Sequence, residues 1–264
     1  MTPASFFQSI WNDYIARLCP SANQVHELLQ EDEALINDHI ALRTFNLAPV
    51  GLEALARPFI ELGYKECGDY VFESKYLVAK HYEHPDPTQP KVFISELEVE
   101  KLSPESQSVI KQLVEQVPQT VVSDSGFIYS GRPWQVSHQD YVTLAKESEY
   151  ASWLAAHGYG ANHFTVSVNQ LNRFDEVQAV NDYLRQSGFT INVSGGEVKG
   201  SPEVLLEQSS TMADKVTVEF SDGQHQIPGG FYEFAKRYPM ASGELYPGFV
   251  AASADKIFES TDAQ

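Results

Sequence analysis

A strand with a histidine near its start occurs twice in this chain, each time followed by the same order of elements. Such a repeat limits the fold more than local propensity does. The first copy is Asp38-His39-Ile40-Ala41-Leu42-Arg43-Thr44-Phe45, and the second is Ala161-Asn162-His163-Phe164-Thr165-Val166-Ser167-Val168-Asn169. In both, apolar and polar residues alternate as in a half-buried strand. Leu52, Leu55, Phe59 and Leu62 mark a helix after the first, with Pro58 placed to kink it. Phe174, Val177, Val180 and Leu184 mark a helix after the second, with Asn172 as its cap. Gly63-Tyr64 and Gly188-Phe189 end the two helices. His39 to Gly63 spans 24 residues and His163 to Gly188 spans 25.

Three strands are expected to close each half. In the first, the residues mark two of them, Tyr70 to Lys80 and Lys91 to Leu97, with His81 to Pro87 as a turn between them. In the second, the strands are Phe189 to Lys199, a long Val204 to Phe220, and Gly229 to Lys236. Phe93-Ile94-Ser95 is matched with Phe231-Tyr232-Glu233 as the last strand of each half. The expected class is α+β: two tandem β-α-β-β-β modules forming a half-open barrel, with added N-terminal and connector helices. One catalytic domain is expected over 1–264. It divides into N-terminal helices (1–33), a first module (34–100), a helical connector (101–159), a second module (160–240) and a C-terminal tail (241–264).

The helical parts are read from apolar stripes. Phe6, Phe7, Ile10, Trp11, Tyr14, Ile15 and Leu18 form one, stopped by Pro20; Val25, Leu28 and Leu29 form another behind Ser21. Ser103-Pro104-Glu105 is a strong helix start. Gln119 to Ser137 reads as irregular or β, and Asp140 to His157 as helix.

Side chains alternate along a strand, so His39, Ala41, Arg43 and Phe45 share one face, with His39 and Arg43 about 13 Å apart at Cα. That span suits a small anion held by a metal at one end and by an arginine at the other. A buried histidine bonded to backbone, beside an arginine in a structural ion pair, is the alternative. In paired modules the first and last strands supply the inward corners of the cavity, here His39, His163, Glu233 and Ser95. Two histidines and one carboxylate with open positions make the facial triad of non-haem Fe(II) oxygenases, so the barrel is expected to surround a metal site. His163 as a core histidine, and Glu233 paired with Lys236 or Arg237, are the alternatives. His81 and His84 in the expected turn are of a type that could hold metal, but Pro85 and Pro87 favour an exposed loop there.

The chain has 18 basic and 36 acidic residues, a net charge of -18. This argues against nucleic acid and against an anionic membrane surface. Any anionic substrate then needs a local cation, which singles out Arg43. Cys19 and Cys67 imply no disulfide framework. With no signal-like N-terminus and no apolar run of transmembrane length, the expected location is cytoplasmic.

The chain resembles the vicinal-oxygen-chelate superfamily, and within it the 2-oxoadipate dioxygenase/decarboxylase (hydroxyglutarate synthase) family. The resemblance runs from His39 to Arg237. It rests on Asp38 to Phe45, on Tyr150-Ala151-Ser152-Trp153, on Asn162-His163-Phe164-Thr165-Val166-Ser167, and on Phe231-Tyr232-Glu233-Phe234-Ala235-Lys236-Arg237. It implies His39, His163 and Glu233 as ligands of Fe(II), another divalent metal being possible in a purified sample, and Arg43 as the substrate grip. It also implies a small dicarboxylic 2-oxo acid and O2 as substrates, with 2-oxoadipate giving 2-hydroxyglutarate and CO2, a step of lysine degradation. Thr165, Ser167 and Gln208 are candidates to orient the ligands, with ordinary polar strand residues as the alternative, and Tyr232 is expected to face away. The chain is shorter than the characterised bacterial members, whose C-terminal residues for substrate choice have no evident counterpart in it. Two other classes remain open: a lyase, isomerase or hydrolase using Zn2+, Ni2+ or Mn2+ on the same scaffold, and a small-ligand binding protein without turnover.

Overall fold

The computed structural model describes residues 2–31 and 34–261. In chain order the first elements are α1 (Pro3–Asp13), a π-turn at Tyr14–Leu18, and α2 (Ser21–Leu29). The first module is β1 (Asn37–Phe45), α3 (Leu52–Glu61), β2 (Lys65–Phe72), β3 (Leu77–Glu83) and β4 (Lys91–Leu97). The connector carries α4 (Pro104–Val114), α5 (Gln119–Val122), α6 (His138–Ala145) and α7 (Glu149–His157). The second module is β5 (Ala161–Ser167), α8 (Val177–Gln186), β6 (Lys199–Ser201), β7 (Leu206–Ser210), a hairpin of β8 (Lys215–Phe220) and β9 (Gly223–Pro228), and β10 (Phe231–Arg237). Helix α9 (Ala251–Phe258) and a 3-10 turn at Glu259–Thr261 follow.

One eight-stranded sheet runs β2-β3-β4-β1-β5-β10-β7-β6 and curls into a half-barrel. Each module contributes four strands with its first strand parallel to its last, and the modules join where β1 and β5 run antiparallel. The α+β class and the two β-α-β-β-β modules are therefore present. On the convex side, Trp11 of α1 meets Phe164 edge-on at 5.0 Å and Tyr232 at 5.7 Å. Those rings sit between inward-facing neighbours, as strand alternation requires. The N-terminal helices thereby bury the outer face of the very strands that carry the site.

Several strand expectations need correction. Tyr70 to Lys80 is two strands with a turn at Glu73–Tyr76, and His81 to Glu83 belongs to β3 rather than to a turn. Phe189 to Lys199 forms no strand before Lys199; its contact with the sheet is the bridge from Ile191 to Thr211. The long Val204 to Phe220 strand is β7 and β8, and β8 leaves the main sheet to pair with β9. Ser221-Asp222-Gly223 was the signal for that hairpin. The stretch expected to be irregular or β holds α5 and a 3-10 turn at Ser125–Tyr129, and the single helix from Asp140 is α6 plus α7. Helix α3 runs on through Pro58. Asn172 caps nothing, because α8 starts at Val177 with Glu176 as its cap residue.

Helix α7 prepares the entry into β5. The Ser148 hydroxyl accepts from the Ala151 amide at 3.1 Å, and the helix stops at Gly158, whose φ is +63°. A Cβ there would lie 2.4 Å from Arg132 Cα and from the Gly131 carbonyl oxygen, so this turn requires glycine. Both cysteines are free. Among the described residues no helix is long and apolar enough to cross a membrane.

Candidate metal centre

Sheet register assembles the site. His39 on β1 and Glu233 on β10 both lie level with Thr165 on β5. His163 sits two residues from Thr165 on the same strand and so on the same face. Ala41 lies opposite His163 and leaves that corner open. The ligand-type atoms of His39, His163 and Glu233 all fall within 4.8 Å of one another, in a buried setting. His163 Nε2 is 3.1 Å from Glu233 Oε2, and His39 Nε2 is 3.5 Å from Glu233 Oε1.

Two β-bulges aim the imidazoles. The β1–β5 register slips once at Asp38 and once at Asn162, each leaving that residue unpaired in the ladder. A bulge re-aims a side chain that alternation would send to the other face. Asp38 Oδ1 accepts from His39 Nδ1 at 2.7 Å, and Asn162 Oδ1 accepts from His163 Nδ1 at 3.1 Å. With Nδ1 protonated and donating, each ring presents an Nε2 lone pair inward, the tautomer a metal needs. Both residues stand in the sequence motifs directly before their histidines, but the sequence alone assigned neither a role.

The residues present fit a divalent cation. Glu233 Oε2 is buried without a hydrogen-bond partner, while Oε1 accepts from Gln208 Nε2 at 2.6 Å. Burial pushes the Glu233 carboxyl up, against the pull of the His39 side and the Gln208 bond. Burial, then the neighbouring His39 and Arg43, hold His163 well below the usual imidazole range, so it stays neutral. A neutral His163 imidazole and a desolvated carboxylate beside a second histidine are what a metal completes, and this donor set suits iron, zinc, manganese or nickel. Burial works against the Asp38 carboxylate as well, but Arg237 and His39 overcome it and hold its pKa far below the usual carboxylate range.

Arg43, further along β1, lies in an aromatic box. Its guanidinium carbon is 4.9 Å from the ring centres of Tyr150 and Trp153 and 5.6 Å from that of Phe258. Beyond Leu42, β5 no longer pairs with β1, and Tyr150 takes over: its hydroxyl accepts from the Thr44 amide at 2.9 Å and donates to the Ser95 carbonyl at 2.7 Å. Arg43 Nη1 donates to Glu149 Oε1 at 2.8 Å and Nη2 to Thr261 Oγ1 at 3.2 Å. Neither Glu149 nor Thr261 was singled out from the sequence; they lie 106 and 218 residues away along the chain.

The C-terminal segment covers the site. Phe249, Ala254, Ile257 and Phe258 line a cavity with His39, Ala41, Phe93, His163, Gln208 and Glu233, and its volume is about 20 Å3. Phe249 meets the His39 ring edge-on at 4.8 Å. The expected tail is thus a helical lid.

The other singled-out residues fall as follows. The Thr165 hydroxyl lies 3.1 Å from His39 Nε2. Ser167 borders a separate cleft of about 420 Å3 with Asn169 and Arg237, away from the three candidate ligands. Ser95 is no corner of this site: β1 and β4 pair His39 with Lys91, while β5 and β10 pair His163 with Phe231. Phe93 therefore matches Glu233, two residues from the expected alignment, and Ser95 bonds the Tyr150 hydroxyl. Tyr232 faces outward, its hydroxyl 3.1 Å from His26 Nδ1. Lys236 pairs with Glu176 and Arg237 with Asp38, which leaves Glu233 to the histidines. His81 and His84 do not converge: His81 bonds Tyr70 and Glu83, and His84 accepts from the Asp86 amide. Cys67, His81 and Glu83 form a second cluster of metal-ligand type, with Glu83 already bonded to Lys91.

The family model for 2-oxoadipate dioxygenase/decarboxylase matches residues 10–125 and 130–246. The chain is 34% identical over 295 residues to the chloroplastic 2-oxoadipate dioxygenase/decarboxylase of Arabidopsis thaliana, covering 97% of this chain and 78% of that protein. The crystal structure of hydroxyglutarate synthase from Oryza sativa in complex with 2-oxoadipate superposes with a TM-score of 0.89 at 32% identity, over 98% of this chain and 91% of that one. A candidate hydrolase from Shewanella frigidimarina NCIMB 400 superposes with a TM-score of 0.91 at 59% identity, over 95% of this chain and 98% of that one.

Proposed function

The chain belongs to the 2-oxoadipate dioxygenase/decarboxylase family, and from that premise we propose that it is an Fe(II)-dependent dioxygenase/decarboxylase of 2-oxo dicarboxylic acids. Its reaction is then 2-oxoadipate plus O2 to 2-hydroxyglutarate plus CO2. The observation that carries this reading is the meeting of the His39 and His163 Nε2 atoms with the Glu233 carboxylate in a buried pocket. Held by these three side chains, Fe(II) would supply the coordination and redox chemistry that a 2-oxo acid and O2 need to react.

The protein's own groups do the rest. Asp38 and Asn162 fix the two imidazoles, and Gln208 fixes the carboxylate. Arg43 grips the distal carboxylate of the substrate with two charge-assisted hydrogen bonds, which sets both its length and its direction. Phe93, Phe249, Ile257 and Phe258 keep water from the reacting end. The substrate brings its own 2-oxo group, so no separate oxo acid is required.

The test is iron content and oxygen uptake. His163→Ala is expected to lose tight iron binding while keeping the fold by circular dichroism; full retention of iron ends the reading. A second reading has specific support: the same donor set holds Lewis-acid metals, and the Shewanella frigidimarina protein is described as a candidate hydrolase. Oxygen uptake that depends on added Fe(II) and 2-oxoadipate selects the dioxygenase. No uptake with any 2-oxo acid selects the non-oxidative alternative.

A further inference from the structure

Arg43 already holds a carboxylate. Its side chain is 1% exposed, whereas that of its partner Glu149 is 26% exposed. Glu149 stands at a boundary: on one side is the guanidinium, on the other a cavity of about 280 Å3 lined also by Tyr141, Ser152, Trp153 and Pro228. The contact is one-pronged, from Nη1 to Oε1. Arg43 Nε is buried and has no hydrogen-bond partner. The guanidinium is therefore neutralised but not saturated.

We propose that Glu149 is a placeholder for the distal carboxylate of the substrate, displaced toward that cavity when a dicarboxylic 2-oxo acid binds. The proposal rests on Arg43 being the anchor for that carboxylate. A buried guanidinium without a counter-ion is costly, so an internal anion has to stand beside it while no diacid is bound. Two carboxylates on one guanidinium repel each other, so the arriving one has to drive the resident one out. The chain provides for the exchange. The Tyr150 and Trp153 rings keep Arg43 in place when Glu149 leaves. Glu149 is the first residue of α7, so the helix terminus favours its charge in either position. The free Nε gives the diacid a donor that Glu149 does not use. Glu149 thereby sets how strongly the site prefers two carboxylates to one.

The experiment is calorimetric titration of the Fe(II)-loaded protein, without O2, with 2-oxoadipate and with the monocarboxylic 2-oxohexanoate. Glu149→Gln is expected to bind 2-oxoadipate about tenfold more tightly than the wild type, the scale of a like-charge contact removed. Its affinity for 2-oxohexanoate is expected to stay the same. Glu149→Asp, too short to reach Nη1 from the same backbone, is expected to fall between the two. Unchanged or weaker diacid binding in both variants, with melting temperatures showing folded protein, overturns the placeholder. Arg43→Ala separates the two failures. If it lowers diacid affinity selectively while Glu149→Gln does not raise it, only the placeholder falls. If it leaves the diacid-to-monoacid ratio unchanged, the anchoring role of Arg43 falls with it.

Discussion

Asp38 and Arg237, from the first strand of one module and the last strand of the other, form a two-pronged ion pair directly behind His39. Arg237 Nε donates to Asp38 Oδ2 at 2.7 Å and Nη2 donates to Oδ1 at 2.9 Å, while Oδ1 also accepts a hydrogen bond from His39 Nδ1. The remaining donor, Nη1, holds the carbonyl oxygens of Tyr246 and Gly248 at 2.9 and 2.7 Å. One guanidinium thus links the orientation of His39 to the chain that leads into the lid.

Asp38→Asn follows from that link. Its amide oxygen can still accept from His39, but the ion pair behind it is gone. Groups that orient a metal-bound histidine are worth about 10- to 100-fold in metal affinity. Chelator competition is expected to show a loss of that size for iron, with the fold intact by circular dichroism. Unchanged affinity would show that Asp38 merely neutralises Arg237.

Arg43→Ala is expected to raise the KM for 2-oxoadipate by roughly ten- to hundredfold, the worth of a charge-assisted hydrogen-bonding group. The KM for 2-oxohexanoate should move far less. Steady-state oxygen uptake with both acids measures the contrast, and equal increases mark Arg43 as a structural residue.

The lid has to move. A cavity of about 20 Å3 is close to the least that holds one water, far less than a six-carbon diacid occupies. Helix α9 closes it through Ala254, Ile257 and Phe258, and these contacts are apolar. Amide hydrogen exchange across 251–258 is expected to be faster than across β5 and β10, and to slow when Fe(II) and 2-oxoadipate are added without O2. Protection equal to that of the central strands in the ligand-free protein would mean that the substrate enters another way.

Acid should weaken the fold through His157. The ring is buried at the end of α7, Nε2 donates to the Pro228 carbonyl at 2.8 Å, and burial pushes its pKa down to about 3. Below about pH 6.5 the unfolded chain takes up a proton that the folded chain refuses. Stability is therefore lost as the pH falls from 6.5 toward 3, by up to about 1.4 kcal/mol per pH unit from this group. Urea unfolding at pH 7, 6 and 5 is expected to show a shallower decline in His157→Gln, whose amide can keep the bond to Pro228. Identical slopes would locate the acid sensitivity elsewhere.

Alternating residues in β1 and β5 and the stripe Phe6, Phe7 and Ile10 were legible from the amino acids alone, because strand and helix periods are local properties of a chain. The repeat of those local patterns was enough to single out His39, His163 and Glu233 and to expect two modules. Spacing by itself put Ser95 where Phe93 stands, because inter-strand register is fixed by pairing and bulges, and a slip of two residues keeps every side chain on the same face. Only tertiary structure turned Asp38 and Asn162 toward the imidazoles, sent β8 and β9 out of the sheet, laid α9 over the pocket, and gave Arg43 its partners Glu149 and Thr261. Those outcomes depend on which surfaces meet after folding, between residues as many as 218 positions apart. Periodicity carries no information over that distance; packing and the pairing of buried charge decide it.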